Sequence, residues 1–515
     1  MYYTKLTDFA SKDALLSGNP SKLVRGTELG AEFDAIATAI ATKYDSATLG
    51  ASSGSSLVGF IQSGTGAVST TVQAKLRESV SVLDFGAAGD GVTDDTAAIQ
   101  AAENHCAGTS KALTWPAGVY KTTATINKLH GVDWYGAGKN LTVIQYAGDT
   151  LAVDARGTSV SRRIFSIKNM TIRGASYVSN AVGIKIAWNM RSLPLLEDVG
   201  INNFGHYGIH FTGDNWLVYF NNVEIHDCGR TVTNSCGIYR EPAFVDINAL
   251  ADIKFFDCVI EACGSASSTA GGVNFQCASP YATQGLWFHG CDIEGNFGTL
   301  ENYFTNVDHL SISECYVECA YFGTPKTAFE FNGCNVAFTS NRVSSDAGNI
   351  GGRALYCAAN TNLHLSGGAF DSDFGSADIE LANNSFLSGG NDFQYSVVPL
   401  RLVKDATSGL QGLGMQVAAW GRFNGVSGSV ARQCGENFAS VSRVSAGTYT
   451  VTFLKPLPNA NYVVCANAED GSSHTALHAN AAFISNGISF TLVVETLAGV
   501  AVDGRQVSFQ VFAEY

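Results

Sequence analysis

From Ile164 to about Gly390, apolar residues alternate in short runs, and each run closes on a turn, one large apolar residue and then, in many copies, glycine. VYFNNVEIHDCG (218–229), IKFFDCVIEACG (253–264), LWFHGCDIEGNFG (286–298), LSISECYVEC (310–319), VAFTSNRVSS (336–345) and LHLSGGAFDS (363–372) carry the pattern. The closing residues are Ile172, Ile201, Ile225, Ile260, Ile293, Val317, Val343, Phe370 and Phe386. Their spacing is irregular: the longest step runs from Ile225 to Ile260 and the shortest from Phe370 to Phe386. A second short strand recurs between them: GIKI at Gly183, GIHF at Gly208, GIYR at Gly237, GVNF at Gly272, AFEF at Ala328 and ALYC at Ala354. An irregular repeat of about 25 residues, without the leucine-rich code, predicts stacked coils with loops inserted between strands. Each coil buries its apolar face only against its neighbours, and crossovers between parallel strands are right-handed. The expected fold class is all-β, a right-handed, single-stranded parallel β-helix.

Side-chain alternation turns the repeat into columns. Five residues before the pivot stand Phe220, Phe255, Phe288, Ile312, Phe338, Leu365 and Leu381, an expected inward stack. Two before it stand Val223, Cys258, Cys291, Cys315 and Asn341, also inward. Thirteen cysteines, an odd number without paired CxxC motifs, read as reduced packing residues.

The flanks differ. Arg25–Tyr44 has helical spacing at Leu29, Phe33, Ile36, Ala37 and Ile40, with Thr27 placed to cap it. One such helix cannot bury its face alone and needs a partner chain or assembly. A Gly/Ser-rich linker follows at 50–66. After an expected neck at 401–440, alternating strands over 441–515 predict a small antiparallel sandwich. The expected division is therefore 1–80, 81–400, 401–440 and 441–515. Charged residues are only 15%, glycine numbers 55 and net charge is −14, which argues against nucleic-acid binding. No apolar run spans a bilayer, and no signal peptide is expected.

SVLDFGAAGDGVTDDTAAIQAA (81–102) and WPAGVY (115–120) form a compact signature. Thr93 is expected to cap a helix running through Ala102, with Asp94 and Asp95 in its first turn rather than in a catalytic role. This signature resembles the N-terminal motif of the pectate-lyase-like β-helix superfamily. In the form that follows AKLRES (74–79), it is similar to phage tailspikes and capsule depolymerases. The resemblance implies a homotrimer in the virion tail, made in the host cytoplasm and acting on capsular polysaccharide or O-antigen at the host surface. It also implies that the segment 23–44 binds a tail or baseplate protein and that the sandwich over 441–515 holds three chains together or binds glycan.

One residue after the pivot, the outward column reads Asn202, His226, Glu261, Glu294, Glu318, Ser344 and Asp371; one before, it reads Glu224, Val259, Asp292, Tyr316 and Arg342. Three successive coils thus carry Glu at one register. Like charges about 4.8 Å apart raise at least one carboxyl pKa, which suits a general acid near neutral pH. Glycoside hydrolysis uses two carboxyl groups. The candidate catalytic residues are Glu261, Asp292, Glu294 and Glu318, and the candidate substrate contacts are Glu224, His226, Trp287, Tyr316, Arg342 and Tyr239. No metal or cofactor is expected. A plain solvated acidic column is the competing reading. Two further functions stay open: a polysaccharide lyase using His226, Tyr316, Arg342 or Lys254, and a non-catalytic glycan adhesin.

Overall fold

The computed structural model describes residues 3–43, 46–129, 131–156, 166–187, 190–212, 215–240, 251–277, 283–320, 325–345, 352–370, 374, 377–389, 394–395, 402–404, 408–410, 416–426, 430–457, 462–469, 476–484, 488–495, 500–504 and 506–513. Met1–Val80 and Ser81–Tyr515 are two compact units.

In the first unit, the helix Gly26–Ala41 begins at Arg25, not at Thr27. Glu28 sets that boundary, because its carboxylate accepts the Arg25 backbone N–H at 3.0 Å. The apolar stripe lies open: Leu29 and Ile40 are exposed, and Phe33 is 61% exposed. Inward on this helix lies Glu32, which accepts the Tyr3 hydroxyl at 2.5 Å.

The second unit opens with a helix, Thr96–Thr109, whose N-cap position is Asp95. It starts later than the Thr93 cap would place it, because Thr93 turns its hydroxyl to Asp90 at 2.8 Å. Asp95 accepts the backbone N–H groups of Ala88 and Gly89, tying the signature loop down. The helix docks through Glu103, which is fully buried and accepts from the Trp134 indole at 2.6 Å and from Lys128 at 3.1 Å.

Then the chain coils. An eleven-stranded parallel sheet forms one wall, here called the third; it includes Cys236–Arg240, Ala270–Gln276, Leu300–Thr305, Thr327–Asn332 and Arg353–Ala358. The first wall contains Ala251–Phe256, Thr283–His289, Val307–Ser313, Asn335–Thr339 and Asn362–Ser366. The second contains Val259–Glu261, Asp292–Glu294, Tyr316–Cys319, Arg342–Ser345 and Ala369–Phe370. Every pairing among these strands is parallel. The chain is a parallel β-helix, right-handed by the rule for such crossovers.

A left-handed residue bends each coil from the first wall to the second: Asn222, Asp257, Gly290, Glu314, Ser340 and Gly367, at φ between 51° and 65°. Asn, Asp and Gly enter that region most readily. The inward residue follows. Cys258, Cys291, Cys315 and Asn341 are all buried. Asn341 spans two coils there, accepting the Cys315 N–H at 2.9 Å and donating to the Ile312 carbonyl at 2.8 Å. Phe220, Phe255 and Phe288 stack with centroids 4.5 and 4.8 Å apart. Burying each ring contributes about 1.5–3 kcal/mol.

The pivots stand in register from Ile172 to Phe370. Phe386 does not. It lies on the first wall opposite Asn362, and Tyr395 takes the place opposite Phe370. Leu381 likewise belongs to the third wall, opposite Cys357. The step from Phe370 to Phe386 is too short for a full coil, so the local likeness to a pivot misled. Solenoid pairing reaches Leu410, and antiparallel pairing begins at Gln416, so the expected neck at 401–440 is mostly strand. The eight antiparallel strands close on a core of Phe423, Phe438, Tyr449, Phe490 and Phe509. Twelve described cysteines are free, eleven of them buried.

Candidate functional site

Backbone register places Glu261, Glu294 and Glu318 opposite one another on three successive coils of the second wall. Asp292 shares the strand of Glu294, two residues back and on the same face. Glu261 is exposed, while Asp292, Glu294 and Glu318 are half-buried. Burial first, and then the charges of Asp292, Glu261 and Glu318, push the Glu294 carboxyl above the usual range. Burial, Glu261 and Glu318 raise Asp292 in the same way. The Oδ1 of Asp292 is buried without a hydrogen-bond partner among the described residues. An unsatisfied buried carboxylate oxygen is costly as an anion and cheaper as an acid.

Tyr316 flanks this group. Its hydroxyl donates to Glu318 at 2.7 Å and lies 3.2 Å from the Ser344 hydroxyl. Arg342, on the next coil, holds its guanidinium 5.9 Å from the Tyr316 ring centroid. At the other edge His226 pairs in register with Glu261, and its Nδ1 lies 3.3 Å from Asp227. Glu261, Asp292, Glu294, Glu318, Tyr316, Arg342 and His226 are thus brought together on one wall.

The remaining expected contacts are not. Glu224 shares the wall, but Val259 separates it from Asp292, and Lys139 engages it at 2.8 Å. Trp287 precedes the bend at Gly290 and faces out from the first wall. Tyr239 lies on the third wall, stacked on Tyr207 at 4.3 Å. Asp371 falls outside the described residues.

Lys139, the partner of Glu224, escaped the sequence reading, and so did an outward column on the third wall, away from the acidic wall. Lys139 sits in a turn outside the repeat, with no periodic signal. Tyr303 and Glu330 stand in the outward column of the third wall, between Asn274 and Tyr356. The strand of Tyr303, Leu300–Thr305, puts Asn302 at the inward position that Val273 and Phe329 hold in adjacent coils. A polar residue there erased the apolar alternation; the outward-facing aromatic and acid in register were the usable signal. Burial raises the Glu330 carboxyl as well. Among the described residues, no cluster of His, Cys, Asp and Glu is arranged to hold a metal ion.

Residues 79–163 match the family described as Rhamnogalacturonase A/epimerase, pectate lyase-like. The first coils of the β-helix are thus pectate lyase-like over that segment. The chain is similar to the solved structure of the Acinetobacter phage vb_AbaP_AS12 gp42 tailspike, at 12% identity over 85% of this chain and 82% of that one, with a TM-score of 0.48. It is also similar to Geobacillus virus E2 ORF18, at 17% identity over 84% and 79% of the two chains, with a TM-score of 0.47. The A-module of the Azotobacter vinelandii mannuronan C-5 epimerase AlgE4 matches at 16% identity, covering 65% of this chain and all of that one, with a TM-score of 0.46. No curated protein matches the sequence.

Proposed function

We propose that this pectate lyase-like solenoid is a phage tailspike that hydrolyses a bacterial surface polysaccharide, capsule or O-antigen, on its second wall. The carrying observation is the acidic wall itself, where Glu294 and Asp292 are held toward the protonated form beside Glu261 and Glu318. Glu294 gives its proton to the glycosidic oxygen as the C–O bond breaks. Glu318, oriented by Tyr316, serves the anomeric carbon either as nucleophile or by activating water. Water supplies the hydroxyl and the returning proton, and one new reducing end forms per bond cut.

Association as a homotrimer, virion-tail location and attachment through the N-terminal unit belong to the same proposal. The open apolar stripe on Gly26–Ala41 supports the last of these, because such a face is stable only when another surface covers it. A uronate lyase ranks second. Arg342 could meet a carboxylate, but Tyr316 is engaged as a donor to Glu318 rather than free to take a proton. The test incubates the protein with capsule and O-antigen panels and weighs the fragments. Hydrolysis adds the mass of water and a reducing end; elimination gives an unsaturated, ultraviolet-absorbing sugar. Intact polymer across the panels, despite binding, would leave an adhesin.

A further inference from the structure

Around the bend from the acidic wall, the first wall carries a shallow groove of about 480 Å³. Trp287 stands at one end, and the lining runs past His364 to Ser388 on the next coil. Between Trp287 and His364 in the same column stand Ser311 and Ala337, whose short side chains leave the trench open. Three strand spacings, about 14 Å, separate the two rings.

The indole is placed, not merely present. It lies along the strand over Gly285, where a Cβ would come within 2.1 Å of the ring. Lys254, on the preceding coil, sits 4.9 Å from the indole centroid and is itself fixed by Asp252 at 2.9 Å and the Tyr219 hydroxyl at 2.9 Å. The groove therefore opens on the side toward Ser311. Its rim is a row of exposed carboxamides: Asn362 donates to Asn335 at 2.8 Å, and Asn335 donates to Asp308 at 2.6 Å. Among the described residues, its lining holds no carboxylate, lysine or arginine, only the imidazoles of His309 and His364.

A flat ring beside a small-residue floor, with amides at the rim, suits the apolar faces and hydroxyls of uncharged pyranoses. The groove's two imidazoles are already engaged, His309 beside Asp308 at 3.2 Å and His364 beside the Ser388 hydroxyl at 3.3 Å, which leaves a uronate or a phosphate poorly matched. The geometry points to a second, non-catalytic site on this wall that binds a neutral stretch of saccharide along the solenoid axis. It stands independently of the acidic wall and would hold even if that wall cleaved nothing.

The test uses the full chain and neutral hexasaccharides of glucose, galactose, mannose and N-acetylglucosamine, with binding followed by saturation-transfer NMR and calorimetry. At least one probe binds; Trp287→Ala weakens it about tenfold, roughly the loss of one stacking platform. Ala337→Trp, which fills the trench, abolishes the contact. Thermal melts and light scattering check that each variant keeps its fold and oligomeric state. Absence of binding by all four probes, or full binding by Ala337→Trp, overturns the proposal. So does dissociation of the oligomer by Ala337→Trp, which would make the groove an interface between copies.

Discussion

Glu294 stands directly opposite Glu318 on the neighbouring coil, and their strands are hydrogen-bonded in parallel. A carboxylate pair at this separation opposes its own ionisation, and the fold tolerates the cost because the pivots Ile293 and Val317 behind it are buried.

Glu294→Gln is expected to retain the oligomer and polysaccharide binding while losing about 10²–10⁴-fold in cleavage, the usual share of a general acid. Reducing-end release on a polysaccharide that the protein cleaves measures it. Undiminished release would remove Glu294 from the chemistry.

The same variant tests the electrostatics through stability. A carboxyl raised in the folded state stabilises below its unfolded value, here 4.5, and that contribution is lost as pH rises through the folded value. Glu294→Gln should therefore melt above the parent at pH 7 and close to it at pH 4. Equal melting temperatures at both pH values would contradict the strain described.

Tyr316→Phe removes the hydroxyl that donates to Glu318 at 2.7 Å and orients it. Turnover should fall about ten- to hundredfold, the loss of one charge-assisted hydrogen bond. A change in KM alone would assign Tyr316 to binding rather than to Glu318.

Glu103→Ala leaves the Lys128 ammonium buried without its counter-charge, at a cost of about 3–5 kcal/mol. Denaturant titration of the solenoid measures it. The double variant Glu103→Leu, Lys128→Met should recover most of the loss, because neither charge then stays behind.

In the sandwich, Asp503 accepts from Arg443 at 2.9 Å, from the Gly447 N–H and from Tyr449, and its carboxyl is held down to about 2. That support is present above the ordinary aspartate value of 3.8 and lost as pH falls from there toward 2. Asp503→Asn should lower the sandwich melting temperature at pH 7 and converge with the parent near pH 2, as read by near-ultraviolet circular dichroism.

Most of the solenoid was legible because its inward columns are apolar and keep a fixed offset from one pivot per coil. Ile260 and Ile293 announce their pairing although a whole coil of chain lies between them. The acidic wall followed from the same alternation. Legibility failed where an inward position is polar, as at Asn302, and where a local look-alike fell out of phase, as at Phe386. It also failed at the bends. Alternation says that Trp287 and Glu294 both point outward, but not that a left-handed Gly290 sends them to different walls. Lys139 reaches Glu224 from a distant turn, a contact that no spacing rule encodes.

Length variation in the solenoid is confined to particular corners. From Phe256 to Val259, His289 to Asp292, Ser313 to Tyr316 and Thr339 to Arg342, two residues always bridge the first wall to the second. The corners leading to and from the third wall differ: five residues separate Glu294 from Leu300, and seven separate Cys319 from Thr327. On the proposed function, a lineage could exchange whole loops at those corners, and with them the sugars it favours, while the acids keep their alignment. Host range and bond cleavage would then evolve on separate parts of one coil.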